Sequence, residues 1–484
     1  MHRKLLFQSL INTSQPRPTL PEDTVTDLRL DTMLSGRACE ILCRPAAETD
    51  ISLRQELISA AEHDTELTER FASMRETLGN IERLFSRLDT TESSDERNVL
   101  TVRIFLASDA FLKCGAALSG CTAALAKRFA EHCSALLESE EYSERIRSLA
   151  EVGRDSDTVY RCTASVSSAY LSLSGDGQSD IGSRLRSLAS SLGIAAGNGA
   201  PSYVPLGEGM ISTFALLEPE YYNACSAFAE KYAPELDRSV LEYIPELDFL
   251  LSVVALVTRL RGAGIPLCIP EFSDGDDISV DSAYDITLLQ KQQGGIIPND
   301  IRFTDSERIF YLTGANGGGK TTYLRTVGNL VLLALSGAPV PARSAALPRL
   351  TAVYTHFPRD ERFGGGGRFS DEETRADCIA DKAGDRSLVL LNETYSTTGE
   401  VKAKQYTTEL ARRLSRQRCY CIYVTHQLPE GTGIPVLGVV LAGDGESRTY
   451  KIRREDATSG SHALDILKKY RLDRHSLRER FGAK

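Results

Sequence analysis

The segment Gly314–Thr321 places the strongest constraint on how this chain can fold. It reads Gly-Ala-Asn-Gly-Gly-Gly-Lys-Thr and matches the pattern GxxxxGK[ST]. An apolar run, Ile309–Leu312, precedes it, and apolar residues follow it at helical spacing: Leu324, Val327, Val331 and Leu335. Glycines let backbone N–H groups close around phosphate oxygens, and a helix N-terminus favours anions. The pattern predicts a strand, a phosphate-binding loop and a helix; the alternative is a glycine-rich turn without a ligand.

Two side chains of this segment have predicted roles. Lys320 would supply a point charge to the β- and γ-phosphates, and Thr321 a hydroxyl to Mg²⁺. The predicted nucleotide-binding residues are consecutive: Gly314, Ala315, Asn316, Gly317, Gly318, Gly319, Lys320, Thr321 and Thr322.

A second motif, Ser387–Glu393, reads Ser-Leu-Val-Leu-Leu-Asn-Glu. Four apolar residues that end in an acidic group have the Walker B form, in which an aspartate before the glutamate usually holds Mg²⁺. Asn392 stands in that position, and it can still accept a hydrogen bond from a metal-bound water but removes one negative charge. Glu393 is the candidate base for an attacking water. The alternative is a buried strand with a capping Asn-Glu pair.

Two further motifs have open interpretations. His426 ends the run Tyr423–His426 and follows Glu393 by 33 residues, where many sheet ATPases place a γ-phosphate sensor; a structural histidine is the alternative. Gly364–Gly367 is either a flexible loop or a backbone-donor loop that reaches the nucleotide of a second subunit.

Hydrophobic periodicity divides the chain into two kinds of sequence. Residues 20–150 have apolar residues at helical spacing, among them Leu67, Phe71, Met74 and Leu78. Residues 157–175 favour a short hairpin, helical patterning returns over 218–261, and the acidic stretch 266–281 is predicted to be an irregular boundary. Beyond it, strand candidates alternate with helices, which predicts an α/β sheet: Ile309–Leu312, Leu388–Leu391, Cys419–Val424 and Val436–Leu441.

Composition narrows the class of protein further. The 484 residues carry a formal charge of −10, but residues 451–484 contain ten Lys or Arg against five Asp or Glu, so any nucleic-acid contact is expected to be local. The eleven scattered cysteines form no metal-ligand pattern and indicate reduced, cytosolic thiols. The longest apolar run, Leu247–Val257, is too short to span a bilayer. We therefore expect a cytoplasmic protein without a membrane partner.

Two small clusters each have a plain and a functional interpretation. Cys39 and Cys43 lie one helical turn apart, which fits core packing better than metal binding. Four arginines form either a solvated helix face or a nucleic-acid patch, and the helix face is the plain interpretation: Arg412, Arg413, Arg416 and Arg418.

Together these residues resemble the MutS family, the ABC-type ATPases of DNA mismatch repair. The resemblance rests on four segments whose order and spacing match over roughly residues 284–475: Arg308–Thr322, Ser387–Glu393, Val424–His426 and Tyr450–Leu467. Three weaker upstream motifs resemble a bacterial branch that begins directly with the helical core and tolerates Asn-Glu: Thr26–Met33, Ser52–Glu56 and Ile265–Pro270.

The resemblance implies a multidomain chain, a mainly α-helical core and lever region followed by a C-terminal α/β P-loop ATPase domain of the ABC type. The implied segments are an N-terminal extension (1–20), the helical core and first lever helices (21–155), a short inserted hairpin or loop region (156–215), returning lever helices (216–270) and the ATPase domain (271–484). It also implies ATP and Mg²⁺ as cofactors and a homodimer through the ATPase domain.

Carried over by position, the resemblance makes Gly314–Thr321 the phosphate-binding loop, Glu393 the hydrolytic base and His426 the switch histidine. With the motif-based predictions above, the expected catalytic residues are Lys320, Glu393 and His426, and the expected Mg²⁺ residues are Thr321 and Asn392. Because the helical core motifs lie near its start, we expect the chain to depart from the family in lacking the mismatch-reading and connector domains. It also carries Gly367 where many relatives place serine. We therefore expect binding to duplex or irregular DNA without mismatch specificity, in mismatch-repair-related or branched-DNA processing, and slow hydrolysis.

Two other functions remain open. One is a nucleotide-gated switch with little turnover that acts on a protein partner, which the overall charge of −10 favours slightly. The other is a P-loop kinase or small-molecule transferase, against which the long helical N-terminal half and the strand before His426 argue.

Overall fold

The computed structural model describes residues 8–14, 19–152, 163–167, 170–174, 195–196, 219–289, 295–358, 368–395, 400–426, 428–429, 431–442 and 448–455. Across these ranges, no helix has both the length and the apolar character needed to cross a membrane. The chain divides into two compact units. The first contains residues 1–10, 69–122 and 126–244, and the second contains residues 11–68, 123–125 and 245–484.

The helices are α1 Glu22–Leu28, α2 Ala38–Leu42, α3 Glu48–His63, α4 Thr65–Thr90, α5 Ser94–Ala116, α6 Ala124–Leu137, α7 Glu140–Val152, α8 Pro219–Tyr232, α9 Tyr243–Gly262, α10 Lys320–Ser336, α11 Arg368–Lys382 and α12 Glu400–Arg416. The strands are β1 Thr163–Ser167, β2 Tyr170–Ser174, β3 Ala195–Ala196, β4 Glu271–Ser273, β5 Ile278–Ala283, β6 Asn299–Phe303, β7 Ile309–Thr313, β8 Ser344–Pro348, β9 Ala352–His356, β10 Ser387–Asn392, β11 Tyr420–Val424, β12 Val436–Leu441 and β13 Arg448–Arg454.

The first unit is built mainly from helices. One of its cores joins α5, α7 and α8, where the rings of Phe105 and Phe228 meet edge to face at 5.5 Å. α5 begins after Ser93, whose side chain accepts a hydrogen bond from Glu96 N, as expected of an N-cap. The apolar stripe predicted at Leu67, Phe71, Met74 and Leu78 is buried along α4. The helical pattern of residues 20–150 is therefore confirmed.

A short β-structure follows α7 in the chain. β1 and β2 pair in antiparallel register, with Val166 opposite Leu171, and β3 pairs with β2 in parallel. These strands fall in the segment where the sequence predicts a hairpin. Whether the segment is a reduced clamp stays a prediction, as do the other domain boundaries.

The second unit contains a six-stranded sheet with the strand order β13-β12-β7-β11-β10-β9. All neighbours are parallel except β12 and β13. Every residue of β7, β10 and β11 is buried, as expected of central parallel strands covered on both faces. The four strands that the sequence predicts in this region are confirmed, and the fold combines helical and α/β parts.

Helices cover both faces of this sheet. On one face, α11 and α12 pack against alternate strand residues such as Tyr311, Val389 and Tyr423. On the other face lies α10. Its Gly328 packs so closely against Leu28 of α1 and Leu390 of β10 that a side chain at this position would have no room. Residues 11–68, which precede the sheet by more than 200 positions, thus fold with it.

A second sheet has four strands in the order β4-β8-β5-β6. It shows that the prediction of an irregular stretch at residues 266–281 was wrong, because β4 and the first part of β5 lie there. The domain boundary placed in this stretch stays a prediction. The acidic residues that suggested a loop occupy the turn between these strands. Arg386 donates from Nε to Asp276 Oδ1 over 2.8 Å and from Nη2 to Asp274 O over 2.8 Å. Arginine partners therefore hold this acidic turn in place.

Candidate functional site

The loop between β7 and α10 has the backbone that its glycines allow. Gly314, Gly317 and Gly319 have φ values of 135°, 70° and 98°, in the region that L-residues rarely adopt. The loop closes with a hydrogen bond from Gly318 N to Ala315 O at 3.1 Å, and α10 begins at Lys320. Asn316 and Gly317 are exposed at its tip, and Thr321 and Thr322 lie half-buried in the first helical turn. The predicted strand, loop and helix are therefore present.

Lys320 is a buried cation directed at this loop. Its residue is 5% exposed, and Nζ donates to Gly314 O over 2.8 Å, to Ala315 O over 3.3 Å and to Asn316 Oδ1 over 3.3 Å. Burial lowers the pKa of Lys320 below its ordinary value, while the charge of Glu393 opposes that shift. A buried ammonium group whose acceptors are neutral loop oxygens suits an anionic ligand above the loop.

The parallel register brings a second group of residues to the same edge of the sheet. β11 lies between β7 and β10, and Asn392 is paired with Val424. The residues that follow these strands therefore meet beside the loop. Asn392 is 7% exposed, and its Oδ1 lies 3.5 Å from Thr321 Oγ1. These two oxygen-bearing side chains come from positions 71 residues apart.

Glu393 and His426 form a pair at this edge. Glu393 Oε1 lies 3.2 Å from His426 Nε2, and the two side chains are 34% and 44% exposed. The hydrogen bond with His426 lowers the pKa of Glu393 below its ordinary value, and burial opposes this effect. Glu393 is thus an ionised carboxylate at neutral pH.

The residues present fit a nucleotide phosphate group with Mg²⁺. Oxygen ligands are what Mg²⁺ prefers, and Thr321 and Asn392 present them side by side. Lys320 supplies the positive charge, and the negative charge of Glu393 stabilises the charged form of Lys320. The arrangement can hold a phosphate chain and present a carboxylate to a water molecule beside it.

Comparison with protein families matches residues 310–431 to MutS domain V. Over these residues the chain is similar to the MutS family. Among known proteins, a segment of 218 residues is 32% identical to the DNA mismatch repair protein msh3 of Botryotinia fuckeliana (strain B05.10). The similarity covers 42% of this chain and 18% of that protein. The chain therefore matches less than a fifth of the length of this relative.

Two residues beyond the segment that matches MutS domain V also lie beside the glycine-rich loop. Arg448 of β13 donates from Nη1 to Gly317 O over 3.1 Å, and the Tyr450 ring lies beside Gly319. Tyr450 begins one of the segments that resemble the MutS family, but no local pattern predicts that Tyr450 or Arg448 lies beside the loop. Asn299 of β6 donates from Nδ2 to Tyr450 O over 3.1 Å, so β6 contacts β13.

The remaining residues singled out from the sequence lie away from this edge of the sheet or outside the described ranges. Gly364–Gly367 and the motif after Glu455 are not among the described residues. Arg413 pairs with Asp377 and Asp381 of α11, and Arg418 pairs with Asp276 and Asp305. Arg412 and Arg416 are exposed on α12. The ion pairs favour a structural surface for this cluster.

The two neighbouring cysteines of α2 and its end also lie apart from the site. Cys43 is buried, and Cys39 is partly buried. Burial raises the pKa of the Cys39 thiol to about 11, so the thiol is protonated at neutral pH. Their environment fits core packing.

Proposed function

We propose that this chain is a MutS-like ATPase that binds ATP with Mg²⁺ and hydrolyses it to switch a dimeric helical clamp on DNA. The observation that carries the proposal is the meeting of Lys320, Thr321, Asn392, Glu393 and His426 at one edge of the six-stranded sheet. The match of residues 310–431 to MutS domain V supports it independently.

Each of these residues has a chemical task in the proposed reaction. The backbone N–H groups of Gly314–Thr321 and the ammonium group of Lys320 bind the phosphates. Thr321 and Asn392 hold Mg²⁺, which when bound neutralises charge on the phosphate oxygens. Glu393 orients the attacking water and accepts its proton. His426 holds the Glu393 carboxylate through their 3.2 Å contact and senses the γ-phosphate.

Dimerisation and DNA binding complete the proposed cycle. The Gly364–Gly367 loop of one subunit would face the nucleotide of the other subunit. DNA would be duplex, branched or otherwise irregular, read by shape and bound electrostatically. The helical arms or the basic segment 451–484 would contact its phosphates.

Steady-state ATP turnover with Mg²⁺ tests the enzymatic part. We expect turnover in the native protein and none in Glu393→Gln or Lys320→Ala, because the first removes the base and the second the phosphate-binding charge. Glu409→Gln, at an exposed position of α12, serves as the matched control and should keep native turnover. Native-like turnover in Glu393→Gln contradicts the assignment of the base.

Binding to duplex and branched DNA at two salt concentrations tests the partner. Affinity should fall steeply between about 50 mM and 200 mM salt, because phosphate contacts release counterions. The absence of binding at low salt contradicts the DNA assignment. The proposed homodimer is checked by sedimentation with and without ATP.

The neutral Asn392 favours a second candidate function, a nucleotide-gated switch that binds a protein partner and turns over little. An amide at 3.5 Å from Thr321 Oγ1 offers an oxygen to the metal site but no charge. In that case the native protein binds ATP tightly while its turnover matches that of Glu393→Gln.

A further inference from the structure

The backbone around Glu393 has an unusual conformation for its residue types. Glu393 and Tyr395 have φ values of 55° and 67°, in the left-handed region that side chains other than glycine rarely adopt. Such a conformation persists only where the surroundings determine it. Glu393 N donates to Val424 O over 3.0 Å, which fixes one end of this turn.

Thr394, the residue after Glu393, is held from two sides. Its Oγ1 lies 3.2 Å from His356 Nδ1 at the end of β9, and its carbonyl oxygen accepts a hydrogen bond from the Tyr423 hydroxyl at 3.3 Å. Thr394 is 5% exposed and His356 is 2% exposed. Hydrogen bonds at such depth act in a low local dielectric and restrict the groups that make them.

His356 is in turn held through the peptide groups beside it. Arg375 of α11 donates from Nη1 to Phe357 O and from Nη2 to Thr355 O, each over 3.1 Å. Arg375 also donates to Asp27 Oδ2 of α1 over 2.6 Å, and Thr355 Oγ1 donates to the same oxygen over 2.8 Å. An ion pair between α1 and α11 thus fixes the end of β9 that carries His356.

We propose that His356 is a positioning residue for Glu393, acting through Thr394. This role rests on the proposed function, in which Glu393 orients the attacking water. A hydrogen bond to the side chain of Thr394 sets where the strained turn lies, and the turn sets where the Glu393 carboxylate points. A displacement of about 1 Å at a reacting group can cost on the order of a hundredfold in rate.

The decisive experiment compares Thr394→Val with Thr394→Ser in the full chain. Valine keeps the shape of threonine but cannot bond to His356, whereas serine keeps the hydroxyl. We expect kcat to fall at least about tenfold in Thr394→Val with KM and ATP affinity unchanged, and to recover in Thr394→Ser. Thr101→Val is the matched control, because Thr101 is also buried and its hydroxyl also makes one hydrogen bond.

A second pair of variants tests His356, the other member of the hydrogen bond with Thr394. His356→Asn can place a polar atom where Nδ1 lies, and His356→Leu cannot. We expect His356→Asn to keep more of the native kcat than His356→Leu, at equal ATP affinity.

The outcomes separate this role from the proposed function. Native kcat in Thr394→Val, or an equal loss in Thr394→Ser, overturns the positioning role while Glu393→Gln remains inactive. A parallel loss of ATP affinity in Thr394→Val also overturns it, because the residue then supports binding. No turnover in the native protein, or full turnover in Glu393→Gln, overturns the proposed function and this role with it.

Discussion

His426 Nε2 lies 3.2 Å from Glu393 Oε1, so the histidine that follows β11 influences the ionisation of the glutamate that follows β10. The hydrogen bond from His426 lowers the pKa of Glu393. The carboxylate therefore stays ionised even at pH values somewhat below the ordinary pKa of a glutamate. A base with this property loses its function only as the pH falls through the lowered pKa.

The pH dependence of turnover should therefore change in His426→Ala. Without the hydrogen bond, the pKa of Glu393 moves up, because burial then dominates. The acid limb of the pH profile of kcat should shift to higher pH. His63→Ala, at an exposed histidine, is the control and should leave the acid limb in place. An acid limb that stays in place in His426→Ala would show that Glu393 does not limit the rate at low pH.

Asn392→Asp should strengthen the use of Mg²⁺. The new carboxylate would stand where Asn392 Oδ1 lies 3.5 Å from Thr321 Oγ1, and a negative charge there attracts a divalent cation. Even with the screening of bulk water this is worth at least roughly 1 kcal/mol, so the Mg²⁺ concentration for half-maximal turnover should fall at least about fivefold. ATP affinity in EDTA, measured alongside, should not rise. An unchanged Mg²⁺ requirement would argue against Asn392 as a metal-site residue.

Gly328→Ala should destabilise the second unit, although alanine normally favours a helix. A Cβ on Gly328 would lie 2.5 Å from Leu28 Cδ2 and 2.9 Å from Leu390 Cδ1. Overpacking of this kind costs about 1–3 kcal/mol, more than the usual helix gain of about 0.5–1 kcal/mol. Urea unfolding measures the difference.

Gly79→Ala in α4 is the matched control for that substitution. The added Cβ would lie 3.3 Å from Arg75 Nη1, the end of a flexible side chain that can move. We expect this variant to be more stable than the native protein by about 0.5–1 kcal/mol. If both variants gain stability, Gly328 of α10 does not pack tightly against Leu28 of α1 and Leu390 of β10.

Arg54 should be among the residues on which stability depends most. It is 1% exposed and donates to Ile11 O and to Ser336 O, each over 3.1 Å, the latter at the end of α10. Burial lowers the pKa of Arg54 to about 10, so it remains charged at neutral pH. Arg54→Met should cost about 3–5 kcal/mol, because it leaves the buried carbonyl oxygens of Ile11 and Ser336 without their donor.

Two comparisons sharpen this prediction. Arg54→Lys keeps the charge but not the planar fork, and it should cost about 1–3 kcal/mol. Arg349→Met removes a surface ion pair with Glu48, at 43% and 47% side-chain exposure, and should cost less than about 1 kcal/mol. Equal losses at Arg54 and Arg349 would contradict the role of burial.

Contiguous sequence determined the local parts of this protein. The strand Ile309–Thr313, the loop Gly314–Gly319 and the helix that begins at Lys320 follow from backbone freedom at glycine and from the spacing of apolar residues. The fully buried strands β10 and β11 were predictable in the same way. The strands around the acidic turn at Asp274–Asp277 were not predicted, because the arginine partners of the turn are distant in sequence, with Arg386 lying 110 residues beyond Asp276.

Only the tertiary structure decided which strand ends meet. The strand order places Asn392 beside Thr321 and Glu393 beside His426, and it buries His356 against Thr394. It also joins Asp27 of α1 to Arg375 of α11 across 348 residues. Local patterns depend on φ angles and periodicity within a few residues, whereas these contacts depend on sheet order and register, which no local pattern encodes.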